Sequence, residues 1–189
     1  FVDSNKIFTN KFPFIVFPSL FLTQKINDKQ SLQFNYSRKI NRPNFFQLIP
    51  YLDFSDSLNI SKGNPALVPE FTNLVELSYQ ADLNKGNNIL VTGYYRHTSN
   101  LISRYQYRDK NPNAVRSDSV YINTFVNAAN SFAYGLEVTS KMKMATWWDL
   151  TVNVNLYNSQ INGGALVGAT QSQQVSWFGK INNSFKLPK

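Results

Sequence analysis

The chain has 189 residues, a net charge of +8, 15% aromatic residues and no cysteine. The lack of cysteine excludes disulfides and thiolate metal sites, and no apolar run reaches the roughly 18 residues that a membrane helix needs. The 19 Lys and Arg are spread along the chain, which argues against nucleic-acid binding. Because the sequence begins without Met and ends in mid-pattern, we expect a fragment of a longer polypeptide.

Apolar and polar residues alternate along almost the whole chain, which predicts β-strands. In chain order, the predicted strands cover about 17–26, 31–40, 73–83, 89–107, 120–144, 149–157 and 177–187. Their connections alternate in length, with short turns at 27–30, 84–87 and 145–148 and long loops at 41–70, 108–118 and 162–172. Gly86 is expected to supply the positive φ of the second short turn.

This sorting of short turns and long loops is typical of an antiparallel, up-and-down transmembrane β-barrel, and about seven strands would make a segment of a larger one. The polar strand faces are rich in Asn, Gln, Ser and Thr, as a wet lumen would be. Trp147 and Trp148 beside a short turn suit an aromatic girdle, or else the core of a soluble sheet. The residues predicted to face lipid are Leu32, Phe34, Leu77, Tyr79, Leu136, Val138, Val152 and Val154.

A soluble or secreted β-sandwich binding module, for example a carbohydrate-binding one, is the alternative, because it uses the same alternation. The two architectures differ in where the eight apolar residues go. A barrel points them to lipid, whereas a sandwich buries them against a second sheet.

The loop at 41–70 interrupts this regularity. Its prolines fix φ and remove hydrogen-bond donors, so we expect it to form no further strand pairs. The segment "NYSRKINRPNFFQLIPYLDFSDSLNISKGNPALVPEFTNLVELSYQ", residues 35–80, resembles the barrel of Bacteroidota TonB-dependent receptors in the outer-membrane β-barrel family. Shorter likenesses occur at 126–138 and 147–157. The loop-motif residues that carry the resemblance are Arg38, Asn41, Arg42, Pro43, Gly63, Asn64, Pro65, Pro69 and Glu70.

The resemblance implies a parent protein of the Gram-negative outer membrane that imports a scarce ligand, driven by the TonB complex. Its barrel closes around an N-terminal plug, so residues 1–189 would be a partial barrel domain without plug or remaining strands. The implied partners are the rest of the barrel and plug, TonB through the missing N-terminal part, lipid, and a small or oligomeric ligand of unknown class. In the loop, Phe45, Phe46, Tyr51 and Phe54 are expected to contact ligand or plug, or else to pack the loop on itself.

The residues indicate no enzyme, cofactor or metal site. His97 is the single histidine, too few for a catalytic triad or a structural zinc site. Asp53 and Asp56 are two carboxylates three residues apart, too few for a calcium cage by themselves. Glu76 and Glu137 are expected to pair with Arg or Lys in the lumen.

Overall fold

The computed structural model describes residues 15–56, 58–83, 86–112, 119–127, 130–162 and 172–186. These residues form eleven strands and one short helix, α1 (Phe45–Leu48). The strands are β1 (Ser19–Asn27), β2 (Gln30–Asn41), β3 (Leu52–Asp53), β4 (Asn59–Lys62), β5 (Glu70–Asp82), β6 (Asn88–Ser99), β7 (Ile102–Lys110), β8 (Ser119–Asn127), β9 (Asn130–Ala145), β10 (Trp148–Asn162) and β11 (Ser172–Phe185).

Seven long strands form one antiparallel sheet in the order β1-β2-β5-β6-β9-β10-β11, which we call the main sheet. The registers place the connections 27–30, 82–88 and 145–148 at one end of this sheet. The strand ends that lead into the longer connections lie at the other end, while 113–118 and 163–171 of the predicted long loops lie outside the described residues. Gly86 has φ +78°, which confirms the predicted role in its turn. The predicted all-β, up-and-down antiparallel fold is therefore confirmed.

The other four strands form a second sheet in the order β3-β4-β8-β7, which we call the loop sheet. The expectation that residues 41–70 make no strand pairs is therefore wrong. The physical reason is that the prolines flank the short strands β3 and β4 and do not interrupt them. In this sheet β4 pairs with β8 in parallel, Ile60 lying opposite Ile122.

Two predicted strands are each split between the sheets. The segment 89–107 is β6 in the main sheet followed by β7 in the loop sheet, and 120–144 is β8 followed by β9. The first break falls at Asn100, whose φ of +57° turns the chain out of the strand. Asn tolerates this left-handed conformation better than most residues, so alternation alone gave no sign of the break.

The buried apolar cluster of the described residues lies in the loop sheet. It consists of Ile60, Val120 and Ile122, with Leu52 and Tyr107 packed against it. In the main sheet the apolar face stays uncovered, since Leu77 is 50% and Leu136 is 49% exposed. No second sheet packs on that face within the described chain, so the β-sandwich alternative is wrong.

The registers align the main-sheet side chains into rows, because directly paired residues lie on the same face. Leu77 lies opposite Phe34 on one side and Gly93 on the other, and Gly93 in turn pairs with Leu136. Val138 likewise lies between Val91 and Val154. All eight residues that were predicted to face lipid share this single face: Leu32, Phe34, Leu77, Tyr79, Leu136, Val138, Val152 and Val154.

On the opposite face of the main sheet, polar side chains of neighbouring strands are joined by hydrogen bonds. Asn35 Nδ2 donates to Glu76 Oε2 at 2.7 Å, and Asn153 Nδ2 donates to Glu137 Oε1 at 2.6 Å. Both glutamates were expected to pair with Arg or Lys, and that expectation is wrong. The register sets an asparagine directly opposite Glu76 and another diagonally across from Glu137, within hydrogen-bond reach. Within the described ranges, no helix has the length and apolarity required to cross a membrane.

Candidate functional site

Glu70 ties the loop sheet to the end of the main sheet. Its Oε2 accepts a hydrogen bond from Asn41 Nδ2 at 2.7 Å, across the β2–β5 pair. Its Oε1 accepts from the backbone N–H of Ile102 at 2.6 Å, where β7 begins. A single carboxylate thus fixes three strands, with bonds of the charge-assisted kind that are stronger than neutral ones.

Gly63 is required by a close approach of two backbone segments. A Cβ built there would lie 2.2 Å from the carbonyl oxygen of Ile49, although the φ of Gly63 is not in the left-handed region. Next to it, the N–H of Asn64 donates to the Gln47 carbonyl at 2.7 Å. The Asn64 side chain is 8% exposed and donates to the carbonyl of Phe125 on β8 at 2.8 Å. These contacts hold the helical part of the loop against the loop sheet.

Asn127, at the end of β8, forms the junction between the loop sheet and the last part of the long loop. The sequence pattern did not predict a role for it. Its Oδ1 accepts from the N–H of Val68 at 2.9 Å, and its Nδ2 donates to the Val68 carbonyl at 2.9 Å. The same Nδ2 also lies 2.7 Å from the carbonyl of Asn100, at the left-handed break. The available signal was the shorter likeness at 126–138, which contains this residue.

The remaining loop-motif residues also have structural positions. The guanidinium of Arg38 lies 5.2 Å from the ring centroid of Phe71, a cation–π distance. Pro65 and Pro69 are buried, Pro43 is half-buried and Arg42 is exposed. Taken with Glu70, Gly63 and Asn64, most of the motif therefore maintains the loop architecture.

An open cleft of about 850 Å³, which we call the loop cleft, lies between the α1 segment and the loop sheet. Phe46 and Tyr51 line it, whereas Phe45 and Phe54 do not. Phe46 is 82% and Tyr51 is 74% exposed, and the ring of Phe46 lies edge-on to that of Phe45 with centroids 5.8 Å apart. The lining residues are Phe46, Ile49, Tyr51, Asp53, Ser61, Lys62, Gly63, Arg104, Tyr105, Gln106, Asn123, Thr124 and Phe125.

One row of polar residues crosses the cleft-facing side of the loop sheet. Asp53 pairs with Ser61, Ser61 with Asn123, and Asn123 with Gln106. Gln106 Nε2 donates to Asn123 Oδ1 at 3.0 Å. The row spans three inter-strand spacings of about 4.8 Å each, so it extends over roughly 14 Å.

The two loop carboxylates, Asp53 and Asp56, accept hydrogen bonds from residues close to them in sequence. Hydrogen bonds from the Ser55 side chain and N–H lower the pKa of Asp53. The Asn59 side chain, with the N–H groups of Leu58 and Asn59, lowers the pKa of Asp56. In the part of the chain that the structure describes, no three acidic or histidine residues come together as a metal site.

Three residues considered in the sequence analysis, His97, Trp147 and Trp148, lie away from the cleft. His97 stacks on Phe132 with ring centroids 4.7 Å apart. Trp147 and Trp148 lie at the short-turn end and stack with each other and with Phe185 at about 6 Å. Trp148 Nε1 also donates to Asn183 Oδ1 at 3.0 Å. This arrangement gives an aromatic cluster at the end of the main sheet opposite the loop sheet.

A family model described as the outer membrane protein beta-barrel family matches residues 1–189. No curated protein matches the chain. The solved siderophore receptor PirA from Pseudomonas aeruginosa is 18% identical, with a TM-score of 0.63 over 88% of this chain and 34% of that one.

Two other solved structures are similar in the same way. A variant of the ferric enterobactin receptor PfeA from Pseudomonas aeruginosa is 15% identical, with a TM-score of 0.57 over 92% of this chain and 33% of that one. PirA from Acinetobacter baumannii is 18% identical, with a TM-score of 0.53 over 91% and 35%. The chain spans about a third of the length of each of these structures. At these identities the likeness concerns the fold.

Proposed function

Because the chain belongs to the outer membrane protein beta-barrel family, we propose that it forms part of a receptor that imports a scarce ligand through a plugged barrel. Family membership places the chain in the outer membrane. The import step, the plug and the drive from TonB are the parts we propose. The proposal has no catalytic step, and the similar structures are receptors.

The observation that carries the proposal is how the main sheet sorts its two faces and two ends. One face is apolar and uncovered, and the other is joined by Asn, Glu, Ser and Thr side chains. One end has tight turns, and the other carries a folded loop sheet with an open cleft. A wall between lipid and a wet lumen, with ligand contacts on the outer side, has this arrangement.

The face assignments follow from this proposal. The eight apolar residues from Leu32 to Val154 would contact lipid, and the cluster of Trp147 and Trp148 would lie at the membrane interface near the short turns. β1 and β11 are the outer strands of the main sheet. Since an open edge is not tolerated in lipid, further strands of the same barrel would pair with both.

The loop cleft is the proposed place of first ligand contact. Phe46 and Tyr51 project aromatic surface into it beside polar residues of the loop sheet. Phe45 and Phe54 are exposed outside the lining, where a plug or a neighbouring loop would reach them. The loop pattern at 35–80 supports a Bacteroidota origin as part of the same proposal.

An uptake experiment in cells tests the proposed import. Labelled ferric siderophores, oligosaccharides and short peptides are offered to wild-type cells, to cells lacking this protein and to cells lacking TonB. The expected result is that uptake of one ligand class falls to background in both mutants and returns when the protein is restored. Normal uptake of every TonB-dependent class in cells lacking the protein would refute import.

A further inference from the structure

We propose that the loop cleft and the adjoining edge strand bind an acidic oligosaccharide, a short sugar chain with repeated carboxylates. This inference rests on the proposed receptor function and names the ligand class of the same site. It is carried by the side chains on the exposed face of β7 and by their partners on β8.

Strand β7 presents basic side chains on the same face as the polar row. Residues two apart on a strand share a face, and β7 pairs with β8 without a bulge. The outward side chains of β7 are therefore Arg104, Gln106, Arg108 and Lys110, which we call the basic strip. Arg104 and Arg108 are four residues apart, so about 13 Å separates their Cα atoms.

The basic strip lacks a carboxylate partner within the described residues. Among the described residues, the ion pair that the structure contains joins Lys186 to Asp149, at the opposite end of the main sheet. Asp53, the acidic residue of the cleft lining, accepts hydrogen bonds from the Ser55 side chain and N–H and forms no ion pair with Arg104. Exposed arginines without partners leave several donors for a carboxylate, which a guanidinium binds through two parallel bonds.

The residues between and beside the arginines suit sugar rings. Gln106, Asn123 and Ser61 offer amide and hydroxyl groups that both donate to and accept from sugar hydroxyls. Aromatic side chains flank the charges, since Phe125 lies opposite Arg104 and Tyr121 lies opposite Arg108. The site therefore combines repeated positive charges at the edge, neutral hydrogen-bonding groups along a row of roughly 14 Å, and aromatic surfaces. This combination matches the carboxylates, hydroxyls and ring faces of an acidic sugar chain.

The test measures binding of a defined probe to the complete protein, purified from outer membranes in detergent. The probe is a fluorescently labelled tetramer of galacturonic acid, and maltotetraose is the neutral comparison. Anisotropy titrations are run for the native protein and for Arg104→Gln, Arg108→Gln and Tyr51→Ala. The matched control is Lys141→Gln, which removes one positive charge from an exposed position near the short turns.

The native protein is expected to bind the acidic tetramer at least tenfold more tightly than maltotetraose. Each arginine substitution is expected to weaken this binding about tenfold, the usual size of a charged hydrogen-bonding contact. Tyr51→Ala is expected to weaken it by a smaller factor, and Lys141→Gln to leave it unchanged. Affinity is also expected to fall with added salt, because the contact lies at the surface.

Three outcomes would overturn the inference: equal binding of the two tetramers, equal losses in Lys141→Gln and Arg104→Gln, or tighter binding of a poly-glutamate peptide or an oligothymidylate. Its failure is separable from failure of the proposed function. If native cells take up another ligand class through this protein and the protein does not bind the acidic tetramer, the ligand-class inference is wrong and the proposed import stands. Tight binding of the acidic tetramer without TonB-dependent uptake would sink import and leave the binding site standing.

Discussion

Replacing Gly63 with alanine tests the contact that folds the long loop. The added methyl carbon would lie 2.2 Å from the Ile49 carbonyl oxygen, where ordinary contact begins at 3.4 Å. The two backbones must therefore separate by about 1.2 Å, which breaks the 2.7 Å bond from the Asn64 N–H to the Gln47 carbonyl. Overpacking costs about 1–3 kcal/mol and the lost hydrogen bond about 1 kcal/mol, so local opening becomes easier by about 2–4 kcal/mol.

Hydrogen exchange measured by mass spectrometry on the complete protein in detergent follows this opening directly. Amides within 45–67 are expected to exchange about 30- to 700-fold faster, since each 1.4 kcal/mol is a factor of ten. The control is Gly93→Ala, because a Cβ at Gly93 meets nothing within 4 Å. If exchange in the loop stays within threefold of native in Gly63→Ala, or rises equally in the control, the close-approach argument is wrong.

Three further predictions address the loop junction, the loop carboxylates and the face assignment. Asn127→Ala removes both bonds to Val68 and the bond to the left-handed break, so the loop should be cut by trypsin in intact cells at least tenfold faster than in the native protein; unchanged cleavage would contradict the junction. The Asp56 pKa is lowered below 3.8 in the folded loop, so its stabilisation is present above that value and is lost as pH falls through the lowered pKa. The rate at which pepsin cuts the loop should therefore rise as the pH falls below 3.8, and Asp56→Asn should make that rise smaller. If the cutting rate depends on pH in the variant as it does in the native protein, the stabilising role of Asp56 is refuted. Leu77→Arg on the apolar face should destabilise the protein in lipid vesicles by about 2–4 kcal/mol in denaturant titrations, whereas Ser78→Arg on the other face should cost much less; equal costs would reverse or remove the proposed facing.

The alternation of side chains predicted most of the main sheet. Side-chain period 2 follows from strand geometry and needs no knowledge of neighbours, so the facing of Leu77, Leu136 and Val154 could be inferred one strand at a time. The positive φ of Gly86 was predictable for a similarly local reason. The likeness at 35–80 named the family, which alternation could not do.

The loop sheet could not be inferred from local patterns. β4 pairs in parallel with β8, about sixty residues away, and two- and four-residue strands carry too little periodicity to be recognised. The prolines suggested an unpaired loop, yet they lie outside the strands that form. The break at Asn100 leaves the alternation on either side unaltered, so alternation predicts one strand where the structure has two.

The candidate site shows the same division. Alternation and the loop pattern predicted that aromatic residues such as Phe46 and Tyr51 lie in the long loop. They placed 108–118 in a second loop, however, so the facing of Arg108 and Lys110 was not predictable before β7 was seen to extend to Lys110. The cleft that brings Arg104 and Gln106 together with these aromatics, the Asn127 bonds to Val68 and the bond from Asn35 to Glu76 all depend on pairing between distant strands, so they came from the fold. The physical reason is that facing depends on the period of one strand, whereas partners depend on register between strands far apart in sequence.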